Sequence, residues 1–126
     1  MTVLYEDNHI IVVVKPENVL SQADITNDLD MLTIIKEYIK VSKNKPGNVY
    51  LGLVHRLDRP TEGIMVFAKT SKCAERLARQ ITKKEFKKTY YAVICGIPKK
   101  EDTLNDYLIK NEKTNTSSVT TSPNTT

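Results

Sequence analysis

The 126-residue sequence has no tryptophan, two phenylalanines and six tyrosines, so aliphatic Ile, Leu and Val must fill any core. Its two cysteines, Cys73 and Cys95, are too few for a disulfide framework and lack the paired spacing of a zinc site. They read as reduced, buried core thiols, which places the chain in a reducing cytoplasm. No apolar run approaches the roughly 20 residues that cross a bilayer, and residues 1–10 lack the basic start and apolar stretch of a secretion signal. Internal repeats are absent as well.

What is present suits one small globular domain: hydrophobic residues make up 40% and charged residues 27%, an α/β or α+β balance. The formal charge of +4 is unevenly placed. Between Lys69 and Lys100 lie ten Lys or Arg against two Glu, whereas the remainder is net acidic. A concentrated basic segment suits phosphate-backbone binding, and a solvated lysine-rich helix face reads equally well from charge alone.

Residues 9–15 (HIIVVVK) form a β-branched run ended by Pro16 and predict a buried strand, followed by a turn over Lys15–Asn18. Asp30 can cap a helix over about Met31–Val41, where Leu32, Ile35 and Ile39 recur at helical spacing. Lys45-Pro46-Gly47-Asn48 breaks the chain before strands at Val49–Val54 and Ile64–Ala68. Thr70 or Ser71 can cap a helix reaching about Lys84, with Cys73, Leu77 and Ile81 on one face. Thr89–Cys95 predicts another strand, and Leu104, Leu108 and Ile109 one more short element. Residues 111–126 hold nine Ser or Thr and only Val119 as a clear apolar residue. That composition predicts a flexible tail or exposed loop, after a first part over residues 1–110.

The informative stretch is His55-Arg56-Leu57-Asp58-Arg59-Pro60-Thr61-Glu62-Gly63. An apolar strand delivers two arginines around one carboxylate into a loop held by Pro60 and Gly63. If the side chains converge, their charge favours ionised Asp58, lowering its pKa by roughly 1–3 units and making it a nucleophile or base. A strand-end ion pair that fixes a turn is the commoner use of such residues.

The order of residues adds to this. HRLDRPTEGIMVFAKTSKCAERL, from His55, resembles the signature of RluA-type pseudouridine synthases. So do KTYYAVICG from Lys88, similar to that family's K-x-Y strand, and VLYEDNHIIVVVKP from Val3, similar to its opening strand pair. The resemblance runs from about Val3 to Leu108. It implies an α+β fold built on a mixed, largely antiparallel sheet with flanking helices. It also implies isomerisation of a uridine in structured RNA, rRNA or tRNA, to pseudouridine.

Residue by residue, Asp58 matches the catalytic aspartate, which attacks the sugar or helps form a glycal. Tyr90 matches the tyrosine that packs on the target base. Arg56 matches an arginine that fills the space left by the flipped base, and His55 and Arg59 are expected to shape the loop and contact RNA. Lys83, Lys84, Lys87 and Lys88 supply phosphate contacts, with Phe86 among them as a stacking residue or a buried anchor. No metal or organic cofactor is expected.

Three departures from the family stand out. Glu62 occupies a position usually small, where it either raises the Asp58 pKa or points to solvent. Glu17-Asn18 replaces a small residue and Gly. The family's later G-R-x-H-Q-I-R motif, whose basic residue pairs with the aspartate, is absent. The expectation is therefore part of a longer catalytic domain, with an open sheet edge and a missing C-terminal segment as partner. The competing reading is a non-catalytic RNA-binding remnant.

Overall fold

Thr2–Glu6 (β1) and Ile10–Lys15 (β2) fold back on one another as an antiparallel pair. The Asp7 carboxylate fixes the turn between them by accepting the N–H groups of His9 (2.7 Å) and Ile10 (2.8 Å). The computed structural model describes residues 1–123, in two units: Met1–Thr89 and a second beginning at Tyr90.

In the first unit, β2 is followed by the helix Met31–Ser42 (α1), the two-residue strand Gly52–Leu53 (β3), the strand Gly63–Ala68 (β4) and the helix Ser71–Thr82 (α2). The sheet order is β1-β2-β4-β3, with antiparallel neighbours throughout. Both helix starts lie where side-chain chemistry places them. Asp30 accepts the Thr33 N–H (2.9 Å) and Thr70 accepts the Cys73 N–H (3.1 Å), each cap contributing about 1 kcal/mol.

The register pairs Ile11 with Phe67, Val13 with Met65 and Lys15 with Gly63, so these residues share one face of the sheet. Met31, Ile35 and Ile39 of α1, one turn apart, cover that face and are fully buried with it. Each such burial stabilises by about 1.5–3 kcal/mol. On the opposite face α2 packs where Gly52 meets Ala68; a Cβ on Gly52 would lie 2.9 Å from the Ala74 Cβ. No α2 residue is fully buried, and Ile64, at the far end of β4, is exposed.

The strand expected over Val49–Val54 shortens to Gly52–Leu53. Past Leu53, the β3 side of β4 has no strand partner among the described residues. The result is an α+β arrangement with an antiparallel four-stranded sheet.

In the second unit, Tyr107–Asn111 (β5) and Thr116–Thr120 (β6) form an antiparallel hairpin. The Asn111 side chain accepts the N–H groups of Lys113 and Thr114, and Asn115 turns the chain at φ 52°. A strand therefore runs through the stretch whose composition predicts a tail; its Thr and Ser residues pair with the Leu108–Ile109 strand and bury almost nothing. Residues 124–126 of that stretch lie outside the described residues.

Thr89–Cys95, expected as a strand, is not one, and Tyr91 and Val93 stand fully exposed. High β propensity makes a strand only where a neighbour pairs with it, and among the described residues none does. Cys95 is correspondingly exposed rather than buried, while Cys73 is half-buried.

Candidate active-site loop

The loop between β3 and β4 presents Asp58 to solvent while its neighbours are held from below. Leu57 is buried, and a single hydroxyl secures its backbone: Ser21 Oγ donates to the Leu57 carbonyl (2.7 Å) and accepts the Leu57 N–H (3.1 Å). On the other side, the Arg59 carbonyl accepts from both the Asn18 N–H (2.9 Å) and Lys15 Nζ (3.0 Å). The Thr61 N–H closes a turn onto the Asp58 carbonyl (2.9 Å). Asn18 takes a left-handed conformation, φ 63°, which asparagine tolerates better than most residues. That is how the turn is made without the family's usual glycine.

Lys15 is the residue on which this arrangement converges, and residue typing alone did not single it out. Its side chain is fully buried, and Nζ donates to three carbonyls: Pro16 (3.0 Å), Val19 (2.6 Å) and Arg59 (3.0 Å). Burial pushes its pKa down, and the nearby charges of Asp58 and Glu62 push it back up. The signal was the alternation Ile11, Val13, Lys15, which aims the lysine at the core.

The two arginines do not converge on Asp58. Arg59 Nε donates to Asn18 Oδ1 (3.0 Å), and its guanidinium pairs with Asp28 (2.9 Å). Arg56 points to solvent without an ion pair. Among the described residues, no side chain hydrogen-bonds or ion-pairs with the Asp58 carboxylate. Glu62 is exposed, and its charge acts on Lys15.

His55 is half-buried, and its Nε2 accepts the Val66 N–H (3.0 Å), so the neutral ring carries its hydrogen on Nδ1. Burial lowers its pKa, and the charge of Lys88 lowers it further. The Phe86 ring lies against it, centroids 5.4 Å apart and tilted by 55°. Phe86 thus anchors the basic run beside the loop. Lys83 ends α2, and Lys84, Lys87 and Lys88 follow it exposed. Tyr90 belongs to the second unit, where its side chain is exposed. Among the described residues no group of three His, Cys, Asp or Glu side chains is arranged to hold a metal, and no helix is long and apolar enough to cross a membrane.

A sequence profile of the RNA pseudouridylate synthase family matches residues 9–125. Ribosomal large subunit pseudouridine synthase C of Buchnera aphidicola (subsp. Acyrthosiphon pisum) is 33% identical over 95 residues, 75% of this chain and 28% of the relative. Ribosomal large subunit pseudouridine synthase D of Borreliella burgdorferi is 32% identical over 100 residues, 76% of this chain and 30% of the relative. The tRNA pseudouridine synthase C of Pectobacterium carotovorum is 30% identical over 112 residues, 89% of this chain and 28% of the relative. The chain thus spans less than a third of the length of these curated relatives. Human RNA pseudouridylate synthase domain containing 4 shares the fold, with a TM-score of 0.56 at 23% identity over 67% of this chain and 30% of its own.

Proposed function

The chain belongs to the RNA pseudouridylate synthase family, and from that premise we propose that it carries the aspartate-bearing part of an enzyme that isomerises a uridine in rRNA or tRNA to pseudouridine, in the cytoplasm. The observation that carries this reading is the Asp58 loop. Its carboxylate is exposed and makes no side-chain hydrogen bond or ion pair among the described residues, while Leu57 and Arg59 on either side are fixed through their backbones. A carboxylate that only stabilised a turn would be engaged with that turn.

In the proposed reaction Asp58 attacks the ribose or assists glycal formation as the bond between uracil N1 and the sugar breaks. The base turns and C5 joins the ribose carbon, as the Asp58–sugar ester breaks on the first route or the abstracted proton returns to the glycal on the second. C5 gives up one proton and N1 takes up one, so the product is an isomer of the starting uridine. Tyr90 is proposed to pack on the base during this turn. The target uridine must first leave its stack, at a cost of a few kcal/mol. Lys83, Lys84, Lys87 and Lys88 offset that cost through phosphate contacts, with His55, Arg56 and Arg59 shaping or touching the RNA next to Asp58.

The test is Asp58→Asn in a version of the chain extended to the length of its relatives. Pseudouridine formation, read by mass spectrometry of the RNA, is expected to fall by orders of magnitude while RNA affinity changes little, because the substitution removes a contribution made only in the reaction. Undiminished pseudouridine formation by this variant would sink the assignment.

A further inference from the structure

The acidic balance outside residues 69–100 conceals a second basic surface. Lys36, Lys40 and Lys43 lie at positions i, i+4 and i+7 of α1 or its cap, along one face that runs for about 10 Å. Opposite them the segment 45–50, turned by Gly47 at φ 78°, stands off the helix and leaves two recesses that share Val49. One, of about 450 Å³, is lined by Lys36, Lys40, Glu37, Thr33 and Asn48. The other, of about 310 Å³, is lined by Lys43, Lys45, Lys69, Asn8 and Tyr50.

Lys69 is already committed, donating to Glu6 (2.8 Å) and the Asp7 carbonyl (2.7 Å). Lys36, Lys40, Lys43 and Lys45 form no ion pair among the described residues, and Glu37 is the only carboxylate lining either recess. Three ammonium groups without an ion pair, and Lys43, whose charge also acts on Glu6, lie on one groove interspersed with amide and hydroxyl donors, which matches a chain of phosphates and ribose hydroxyls.

We propose that this groove between α1 and segment 45–50 binds the RNA backbone, as an anchoring surface separate from the Asp58 loop. The inference rests on the proposed RNA substrate. Asn8 and Lys69 flank the end of the β2–β4 pair where Ile10 meets Ala68, and the Asp58 loop is tied to the other end, where Lys15 meets Gly63. Six paired residues separate the two ends by about 17 Å. An RNA engaged at both places must extend several nucleotides beyond the target. The groove therefore favours a uridine carried on a flanking RNA backbone over a free nucleoside or dinucleotide.

The experiment measures binding of this chain to an RNA stem–loop with a single-stranded flank over a series of salt concentrations. In the variant Lys36→Gln/Lys40→Gln/Lys43→Gln/Lys45→Gln, affinity at low salt should fall at least about tenfold, and the slope of log affinity against log salt should lessen by about 3. Glutamine keeps helix propensity close to that of lysine, so α1 should survive, as circular dichroism will report.

Amine acetylation of the unaltered chain, with and without the RNA, gives a reading that needs no variant. The four lysines should be protected several-fold, whereas Lys110 and Lys113 should not. Unchanged affinity and slope, equal reactivity with and without RNA, or equal protection by polyglutamate at the same salt would each overturn the proposal. Pseudouridine formation by the extended version is scored separately. If it is absent while the lysines are protected, the isomerase reading fails and the groove stands; if it proceeds unaltered in the quadruple variant, the reverse holds.

Discussion

Replacing Lys15 by methionine keeps a buried stem of similar volume and removes only the ammonium that ties β2, its following turn and the Asp58 loop together. Hydrogen bonds from a charged donor contribute about 1.5–3 kcal/mol each, but three on one nitrogen do not add, and burying the ammonium costs part of the gain. The carbonyl beside exposed Pro16 can turn to water, whereas those of Val19 and Arg59 lie among half-buried residues. An apolar replacement of a buried charge is often harmless when its partners are replaced too; here the partners are main-chain carbonyls and remain. The expected loss is about 2–4 kcal/mol. For a unit of this size that lowers Tm by about 10–25 °C. Thermal and urea melts followed by circular dichroism measure it. A loss below about 0.5 kcal/mol, within the range of ordinary surface substitutions, would refute the assignment of Lys15 as the tie.

Ser21→Ala should cost about 1–3 kcal/mol, because both backbone groups of buried Leu57 lose their partner; hydrogen exchange should quicken at the Leu57 amide. Gly52→Ala should destabilise by about 1–3 kcal/mol by forcing α2 away from the sheet, since the new Cβ meets Ala74 at 2.9 Å and Ala68 at 3.4 Å; a melt of that variant reports it. His55 has a folded pKa below its unfolded value, so it contributes stability that is present above the unfolded pKa and is lost as pH falls from there through the folded one. His55→Gln should flatten this part of the pH–stability profile, and an unchanged slope below about pH 6.5 would contradict the buried, accepting imidazole.

Elements whose signals are local could be read from the sequence. The caps at Asp30 and Thr70 and the period-two run of β2 depend on near neighbours, and all formed as expected. The strand expected at Thr89–Cys95 depends on a distant partner, and no residue type reports whether that partner is there. The strand Thr116–Thr120, second of its hairpin, was hidden by composition, although Asn111 and Asn115 mark the turn before it. At the site, Asp58 was legible from its motif but its setting was not. Arg59 turns to Asp28 and Asn18, 31 and 41 positions away in sequence, and Ser21 reaches Leu57 across 36. A charge tally by segment likewise hid the lysines of α1, whose alignment is a property of the helix.

His55 also stands in for a missing strand. Main-chain groups alternate along β4, so on its β3 side the amides of Ile64 and Val66 have no strand partner among the described residues, ahead of the short ladder at Phe67 and Ala68. The imidazole covers the amide of Val66 and, with Phe86 behind it, blocks the approach of another backbone. It therefore acts as an edge guard against intermolecular strand addition. Acidification, which takes away its accepting nitrogen, should unlock that edge and make the protein prone to self-association at concentrations where it stays dispersed near neutrality.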